Sequence, residues 1–307
     1  MLRKITFAMF VFAVGLGSAW LFVLRAPQSE VESGKTRIVA SFYPLAYLVS
    51  IVGGEVVSVR TLVPAGAEPH DFEPSPRDFV EIGKADAFFY NGAGFEPWVK
   101  RWEMSGTIRS VHLADMASAL KERNVPLINR GGVSDPHFWL DPVIFEKEAE
   151  IVRDTLIAID PAHRDVFSEN TVRLTHALGA LDQRFQKGLA SCPTRDIVVS
   201  HDSLGYLAAR YGFRATAIAG ISPDEESAPK DLARIAMDVR AKGVKYIFSE
   251  TVASSKFSEA IAREIGGQTL VLNPLESLTP DEVQSGDDYI SKMEMNLSNL
   301  QKAMTCL

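Results

Sequence analysis

Cysteine is almost absent from this chain. Only Cys192 and Cys306 occur among its 307 residues, and the first 190 positions contain none. The lipid-anchoring cysteine that follows the signal of many exported proteins is therefore missing. If the chain is exported, its two cysteines lie in an oxidising compartment, where they either form a disulfide or remain two unrelated thiols.

Clustered positive charge is also absent. Lys and Arg number 32 against 39 Asp and Glu, which gives a formal net charge of -7. This acidic balance argues against a nucleic-acid partner. No Lys/Arg cluster follows the first 25 residues, so the sequence gives no reason to expect an anionic membrane surface as a partner either.

The first 25 residues have the pattern of an export signal. Two basic residues precede an apolar run from Ile5 to Leu24, and Arg25 follows it. Gly17-Ser18-Ala19 offers a small-residue cleavage site, but the run is also about long enough to span a bilayer uncut. Residues 1–25 are therefore a signal peptide or a signal anchor, and we expect a periplasmic protein, either soluble or held at the inner membrane.

Beyond residue 35, short apolar runs alternate with helical patterns, which is typical of βα units and a parallel sheet. The length and the 46% hydrophobic content suffice for two domains, each with its own core. Crossovers long enough to be helices separate four strands in each half. The predicted strands are 37–41, 56–62, 87–90 and 110–112, followed by 196–200, 215–219, 245–249 and 269–272.

A long helix is predicted between the two halves. Residues 162–189 contain no proline and carry apolar residues at helical spacing, so we expect one helix of about seven turns. We interpret 161–190 as a rigid connector between an N-terminal domain, 36–160, and a C-terminal domain, 191–307. The predicted fold class is α/β, with two four-stranded parallel-sheet βα domains joined by this helix.

Four candidate metal donors lie in loops beside predicted strand ends or helix starts: His70, His137, His201 and Glu276. In open parallel sheets, ligands bind beyond the carboxyl ends of the strands, where several loops converge. Taken alone, each histidine is more often a partly buried structural or surface residue than a ligand, and it is the placement of the three at predicted loops that favours a site. Two donors come from each half, so a metal bound by all four would lie in the cleft between the domains.

The other three histidines, His112, His163 and His176, are interpreted as surface or packing residues.

The donor set itself selects among metals. Three neutral imidazoles and one carboxylate suit tetrahedral Zn²⁺, whereas Mn²⁺ prefers more oxygen donors and a higher coordination number. Cu²⁺ and Ni²⁺ would also bind such a site.

Acidic residues near the histidines are candidates for orienting them, because a ligating imidazole usually donates its second N–H to an acid or a carbonyl. Asp135, Asp202 and Glu73 are expected in this role. For Asp202 the alternative is helix capping, since it opens the helix predicted at about 203–210.

Five segments of the chain resemble a known family, the cluster A-I substrate-binding proteins of ABC importers for zinc and manganese, and in particular its zinc-binding branch. The resemblance covers the chain from about residue 36 to its end. The matching segments are 38–44 (IVASFYP), 68–75 (EPHDFEPS), 135–142 (DPHFWLDP), 200–206 (SHDSLGY) and 273–276 (NPLE).

This resemblance implies a monomeric carrier that holds one metal ion between two βα domains and delivers it to a membrane permease. His70, His137 and His201 match the family's histidine ligands. Many members have an aspartate where this chain has Asn273, whereas zinc-binding relatives with a Pro-Leu-Glu sequence use the glutamate, here Glu276. Glu276 is therefore the expected fourth ligand, and Asn273 is the alternative. The long helix is expected to limit hinge motion, so that loops around His201 or Glu276 gate release.

Alternative functions remain open at this point. The carrier could take Mn²⁺ or Fe²⁺, or the same fold could serve as a surface adhesin. An exported zinc hydrolase would need an open coordination position and a general base. The chain has no H-E-x-x-H helix, and the spacing of His70 and Glu73 lies in a proline-flanked loop, so we do not expect an enzyme.

Overall fold

The computed structural model describes residues 34–105, 111–130, 132–223 and 228–306. The export signal expected at 1–25 and residue 110 of the fourth predicted strand lie outside these ranges. From Lys35 onward the chain forms one compact unit. Within the described ranges, no helix combines the length and the apolar character that crossing a membrane requires.

The first sheet contains four parallel strands in the spatial order β2-β1-β3-β4. All four residues of β3 are buried, as is the second half of β1, which explains why both read as continuous apolar runs rather than as alternating ones. The strands are β1 (Thr36–Ala40), β2 (Val57–Thr61), β3 (Ala87–Tyr90) and β4 (His112–Asp115), and the helices are α1 (Tyr43–Gly53), α2 (Pro76–Ile82), α3 (Pro97–Met104) and α4 (Met116–Glu122).

Between the two sheets, the chain forms a short hairpin, β5 (Asn129–Arg130) and β6 (Val133–Ser134), and two long helices, α5 (Pro142–Ile159) and α6 (Arg164–Leu189). Helix α5 begins at Pro142, because the Asp141 carboxylate caps it by accepting the backbone N–H of Val143. Helix α6 has 26 residues, which gives it a length of about 39 Å. It packs against α1, α5 and the C-terminal helix.

The second sheet also contains four parallel strands, in the order β10-β9-β7-β8. Counted within each half, both sheets therefore have the order 2-1-3-4. The elements are β7 (Asp196–Val199), α7 (Gly205–Tyr211), β8 (Arg214–Ala217), α8 (Pro229–Ala241), β9 (Tyr246–Ser249), α9 (Lys256–Ile265), β10 (Gln268–Val271), α10 (Pro280–Gln284) and α11 (Tyr289–Ala303).

One hydrophobic core extends through both halves of the compact unit, with residues from both sheets and from helices α5 and α6. Trp139 lies at its centre, fully buried. Its indole Nε1 donates a hydrogen bond to the Pro274 carbonyl at 2.8 Å, and its own carbonyl accepts one from the Tyr289 hydroxyl at 2.7 Å. These bonds connect the turn before α5 to the loop after β10 and to the first residue of α11.

Of the two alternatives left open for the cysteines, the structure has the disulfide, because Cys192 and Cys306 are bonded to each other. The bond links the segment that follows α6 to the segment that follows α11. It lies on the side of the second sheet where strand β7 begins.

The fourth predicted strand was displaced. Its sequence position of 110–112 made His112 the last residue, but the structure makes His112 the first residue of β4 and pairs it with Ala87. The strand continues through Leu113 and Ala114, because these apolar side chains fill the space beside β3. The β5–β6 hairpin and helix α10 are among the small elements that the sequence did not predict.

Candidate metal centre

The four predicted donors lie in loops on the side of the sheets where the neighbouring strands end. His70 lies in the loop after β2, and His137 precedes the 3₁₀ turn that leads into α5. His201 follows the end of β7, and Glu276 lies in the loop after β10. Each half of the chain therefore contributes two of them, as the sequence predicts.

The structure brings the four side chains together, with one potential ligand atom from each lying within 4.8 Å of the others. Glu276 Oε1 is 3.2 Å from His137 Nε2, 3.2 Å from His201 Nε2 and 3.4 Å from His70 Nε2. The Nε2 atoms of His137 and His201 are 3.4 Å apart. A tetrahedral zinc ion with ligands at about 2.0–2.1 Å places adjacent ligand atoms about 3.3 Å apart, so these spacings fit that ion.

The cluster is shielded from water. The side chains of His137 and His201 are fully buried, and Glu276 is 3% exposed. His70 Nε2 is also buried and has no hydrogen-bond partner among the described residues. A buried ring nitrogen that makes no hydrogen bond, with Glu276 Oε1 at 3.4 Å, is costly and calls for a reason. Coordination of a cation at the centre of the cluster would supply one.

Two carboxylates orient the buried histidines. Asp135 Oδ1 lies 3.0 Å from His137 Nδ1 and accepts the His137 backbone N–H as well, which confirms the predicted role of Asp135. Glu250 Oε1 lies 2.6 Å from His201 Nδ1 and also accepts a hydrogen bond from the Ser200 hydroxyl. Because each acid occupies Nδ1, each imidazole presents Nε2 to the cluster.

Sequence reasoning missed Glu250, although a signal for it was available. The residue directly follows β9, and His201 lies two residues past the end of the neighbouring strand β7. Between strands 1 and 3 of a 2-1-3-4 sheet, the chain crosses to opposite sides, and ligands collect at such switch points. An acidic residue directly after the strand predicted at 245–249 was therefore a candidate for orienting His201.

The predictions for Glu73 and Asp202 were wrong. Glu73 is exposed and forms an ion pair with Arg101 at 2.6 Å. Asp202 forms an ion pair at 2.6 Å with Arg130 of the β5–β6 hairpin. It does not cap α7 either, because that helix begins at Gly205 and its capping position is Leu204.

Asn273 shapes the loop that carries Glu276. Its Oδ1 accepts the backbone N–H of Leu275 at 2.8 Å, which forms an Asx turn. Leu275 has a φ of 62° and is fully buried, so the chain reverses sharply immediately before Glu276. The backbone N–H and carbonyl of Asn273 are both bonded to the Asn296 side chain of α11. Glu276, rather than Asn273, is the residue placed in the cluster.

The charges of the cluster change the proton affinities of its members. Burial alone would lower the pKa of His201, but the carboxylates of Glu250 and Glu276 raise this pKa well above its ordinary value. In the same way, Asp135 and Glu276 overcome burial and raise the pKa of His137. Burial would raise the pKa of Glu276, but His201 and His70 hold it well below its ordinary value. Without a cation, His137 and His201 therefore hold protons more tightly than ordinary histidines do.

The remaining histidines lie outside the cluster, as interpreted from the sequence. His112 and His176 are exposed. His163 lies in the short turn before α6, where its Nδ1 is 2.7 Å from Asp160 Oδ2.

The sequence matches the model of a protein family described as zinc-uptake complex component A, periplasmic (ZnuA), over residues 38–303. It is 33% identical to the zinc-binding lipoprotein AdcA of Streptococcus pneumoniae over 298 residues, which cover 92% of this chain and 58% of AdcA. The chain thus spans 58% of the length of that curated relative. It is 31% identical to the high-affinity zinc uptake system protein ZnuA of Bacillus subtilis over 286 residues, which cover 90% of each chain.

Solved structures agree with this similarity. The zinc-bound ZnuA-like domain of S. pneumoniae AdcA superposes with a TM-score of 0.78 at 35% identity, covering 88% of this chain and 99% of that domain. The laminin-binding protein Lmb of Streptococcus agalactiae, described as a bifunctional adhesin and metal transporter, superposes with a TM-score of 0.79 at 29% identity, covering 88% and 99%.

Proposed function

Because the chain belongs to the ZnuA family of zinc-uptake components, we propose that it captures Zn²⁺ outside the cytoplasm and delivers it to the membrane permease of an ABC importer. The observation that carries this proposal is the convergence of three histidines and Glu276 on one buried point. Zinc is here the cargo of the protein.

We propose that His70, His137 and His201 bind the ion through Nε2 and that Glu276 binds it through one carboxylate oxygen. The donor set supports zinc over manganese, because three imidazoles and one carboxylate complete a tetrahedron, whereas Mn²⁺ prefers more oxygen ligands. The buried Nε2 of His70, which makes no hydrogen bond among the described residues, supports the same assignment.

A carrier fits this arrangement better than a hydrolase does. A catalytic zinc keeps one coordination position open for water, whereas four protein donors would close the tetrahedron. A zinc-loaded preparation that kept a metal-bound water and turned over an ester or a peptide would contradict the carrier proposal.

The proposal extends to location and partner. We place the mature protein in the periplasm as a monomer that docks on a permease, after export by the signal at 1–25. We further propose domain boundaries at 36–160 and 191–307, with 161–190 as the connector. The boundaries of α6 and the two four-stranded sheets support this division.

Replacing one proposed ligand tests the function directly. We expect His137→Ala to weaken zinc binding by more than about 100-fold, since even residues that only orient a ligand contribute roughly 10- to 100-fold. The matched control is His176→Ala, which removes an exposed histidine of α6 and should leave the affinity unchanged. Competitive titration of zinc against manganese and elemental analysis of protein purified from its native compartment are the measurements. Equal zinc affinity in wild type and His137→Ala would exclude His137 as a ligand.

One comparison favours a second function, adhesion. It is the similarity to Lmb, which is described as having adhesin activity. Binding of the purified, zinc-loaded protein to immobilised laminin tests it, with the metal-free protein as a comparison. Absence of saturable binding would leave metal delivery as the proposed function.

A further inference from the structure

A groove of about 440 Å³ lies beside the metal centre. Its lining includes Ser200, which precedes His201, and the exposed residues Asp71 and Lys256, so the groove opens to solvent. A second, narrow cavity of about 10 Å³ lies against Glu250 and Glu276. Such a volume holds about one water-sized particle.

Glu68 is the acidic residue that lines both spaces. Its side chain is half-buried, and its Oε1 accepts the backbone N–H of His70 at 3.2 Å. Glu68 therefore borders the solvent-open groove and also the narrow cavity against Glu250 and Glu276. His70 Nε2 is buried, makes no hydrogen bond among the described residues and lies 3.4 Å from Glu276 Oε1, so the two residues offer an imidazole and a carboxylate to a cation.

From this placement we propose that Glu68 is a transfer ligand, a carboxylate that binds the zinc ion briefly as it passes between the groove and the four-donor site. This inference rests on the proposed function. It concerns how the ion moves and leaves the final ligand set unchanged.

The exchange conserves the coordination of the ion. On the way in, a bond forms between a Glu68 oxygen and zinc as a zinc-bound water leaves. That bond then breaks as an imidazole Nε2 or the Glu276 carboxylate takes its place, and the proton of a binding imidazole and the remaining zinc-bound waters leave to solvent as the other donors bind. On the way out the same steps run in reverse, so zinc always retains a complete set of donors. A buried ion without such a donor would have to lose ligands before gaining new ones, which raises the barrier in both directions.

Two simpler roles for Glu68 predict different kinetics. As a source of negative charge only, it would speed the arrival of zinc and slow its loss, as would any other acid in the groove. As a structural residue only, it would position His70 through the hydrogen bond to the backbone. A transfer ligand instead lowers the barrier shared by binding and release, so both rates depend on it and the equilibrium does not.

The test compares the full-length wild type with Glu68→Gln and Asp71→Asn. Gln keeps an oxygen that can accept the His70 N–H but loses the carboxylate that would bind zinc. Asp71→Asn makes the same acid-to-amide change in the same groove and serves as the matched control. Stopped-flow mixing with zinc measures association, release to an excess of a zinc-chelating dye measures dissociation, and competitive titration measures Kd.

We expect Glu68→Gln to slow association and dissociation together by about tenfold, equivalent to about 1.4 kcal/mol in the shared barrier. Its Kd should stay within about threefold of wild type, and Asp71→Asn should leave dissociation unchanged. Faster dissociation in Glu68→Gln, unchanged rates, or equal slowing in Asp71→Asn would each overturn the transfer role. A wild type that fails to bind zinc would instead refute the proposed function, so the two failures are distinct.

Discussion

At the scale of single residues, protons and zinc compete for the same imidazole nitrogens. His137 and His201 each lie between two carboxylates, one at Nδ1 and Glu276 at Nε2. The negative charges that would help to hold Zn²⁺ also hold protons when the ion is absent. This is the physical reason why the pKa values of both histidines are raised despite complete burial.

We therefore expect zinc affinity to fall as the pH is lowered. The sign follows from the raised histidine pKa values: below them the metal-free protein carries protons that zinc must displace. Because two histidines are affected, binding should release more than one proton near and above the ordinary histidine pKa of about 6.5. Isothermal titration calorimetry in buffers with different ionisation enthalpies measures this number. Zinc binding without proton release would contradict the assignment of these histidines as ligands.

The donors themselves could be predicted because each lies close to a strand end or a helix start that the hydrophobic pattern reveals. The orienting acids were harder to predict, since closeness in sequence does not fix where a side chain points. Glu73 lies three residues after His70 but pairs with Arg101. Glu250 lies 49 residues from His201 and bonds to it. Only the order of the strands in the sheet reveals that Glu250 and His201 lie close together.

At the scale of elements, the regular helices and strands followed from pattern, but the loop carrying Glu276 did not. A leucine rarely adopts a positive φ, because its side chain crowds the backbone there. Leu275 does so because its burial and the Asn273 hydrogen bond fix the turn. The two-residue strands of the β5–β6 hairpin are likewise too short for any periodic signal.

Replacing Asn273 tests whether this turn positions the carboxylate. Asn273→Ala removes the buried hydrogen bond to Leu275, which should cost about 1–3 kcal/mol of stability. We also expect zinc affinity to fall by about tenfold, as for other residues that orient a ligand. Thermal unfolding and zinc titration measure the two effects.

The control for this experiment is Asn299→Ala. Asn299 also lies beside the end of β10, where its Nδ2 donates to the Val271 carbonyl at 2.8 Å, but it does not contact the turn. The Asn299→Ala variant should be less stable than the wild type but should bind zinc with the same affinity. If both variants bound zinc like the wild type, the turn would have no part in positioning Glu276.

At the scale of the whole molecule, the alternation of strand and helix predicted two parallel sheets, and the structure has them with the same strand order in both. The disulfide could be proposed but not assigned from sequence, because two cysteines separated by 114 residues carry no pairing signal of their own. Their pairing depends on α11 returning the chain to the end of α6, a contact between distant segments.

Removing the disulfide should affect stability and spare the metal centre. The double variant Cys192→Ser/Cys306→Ser should lose about 2–5 kcal/mol of unfolding free energy, because the bond closes a long loop. Zinc affinity should change little, since Cys192 precedes β7 whereas His201 follows it. Urea unfolding and zinc titration of the variant and of the oxidised wild type measure both quantities. A parallel loss of affinity would indicate that the bond supports the ligand loops.

Helix α6 has a consequence for any protein that must distinguish a full carrier from an empty one. Over about 39 Å it packs against helices from both halves, as a strut fixed at both ends. Such a helix opposes a rotation of one half of the chain away from the other, because the side chains packed along it would have to separate. A partner that binds only the zinc-loaded form would then have to recognise the conformation of the loops beside the groove. The arrangement of the two halves would be nearly the same with and without zinc.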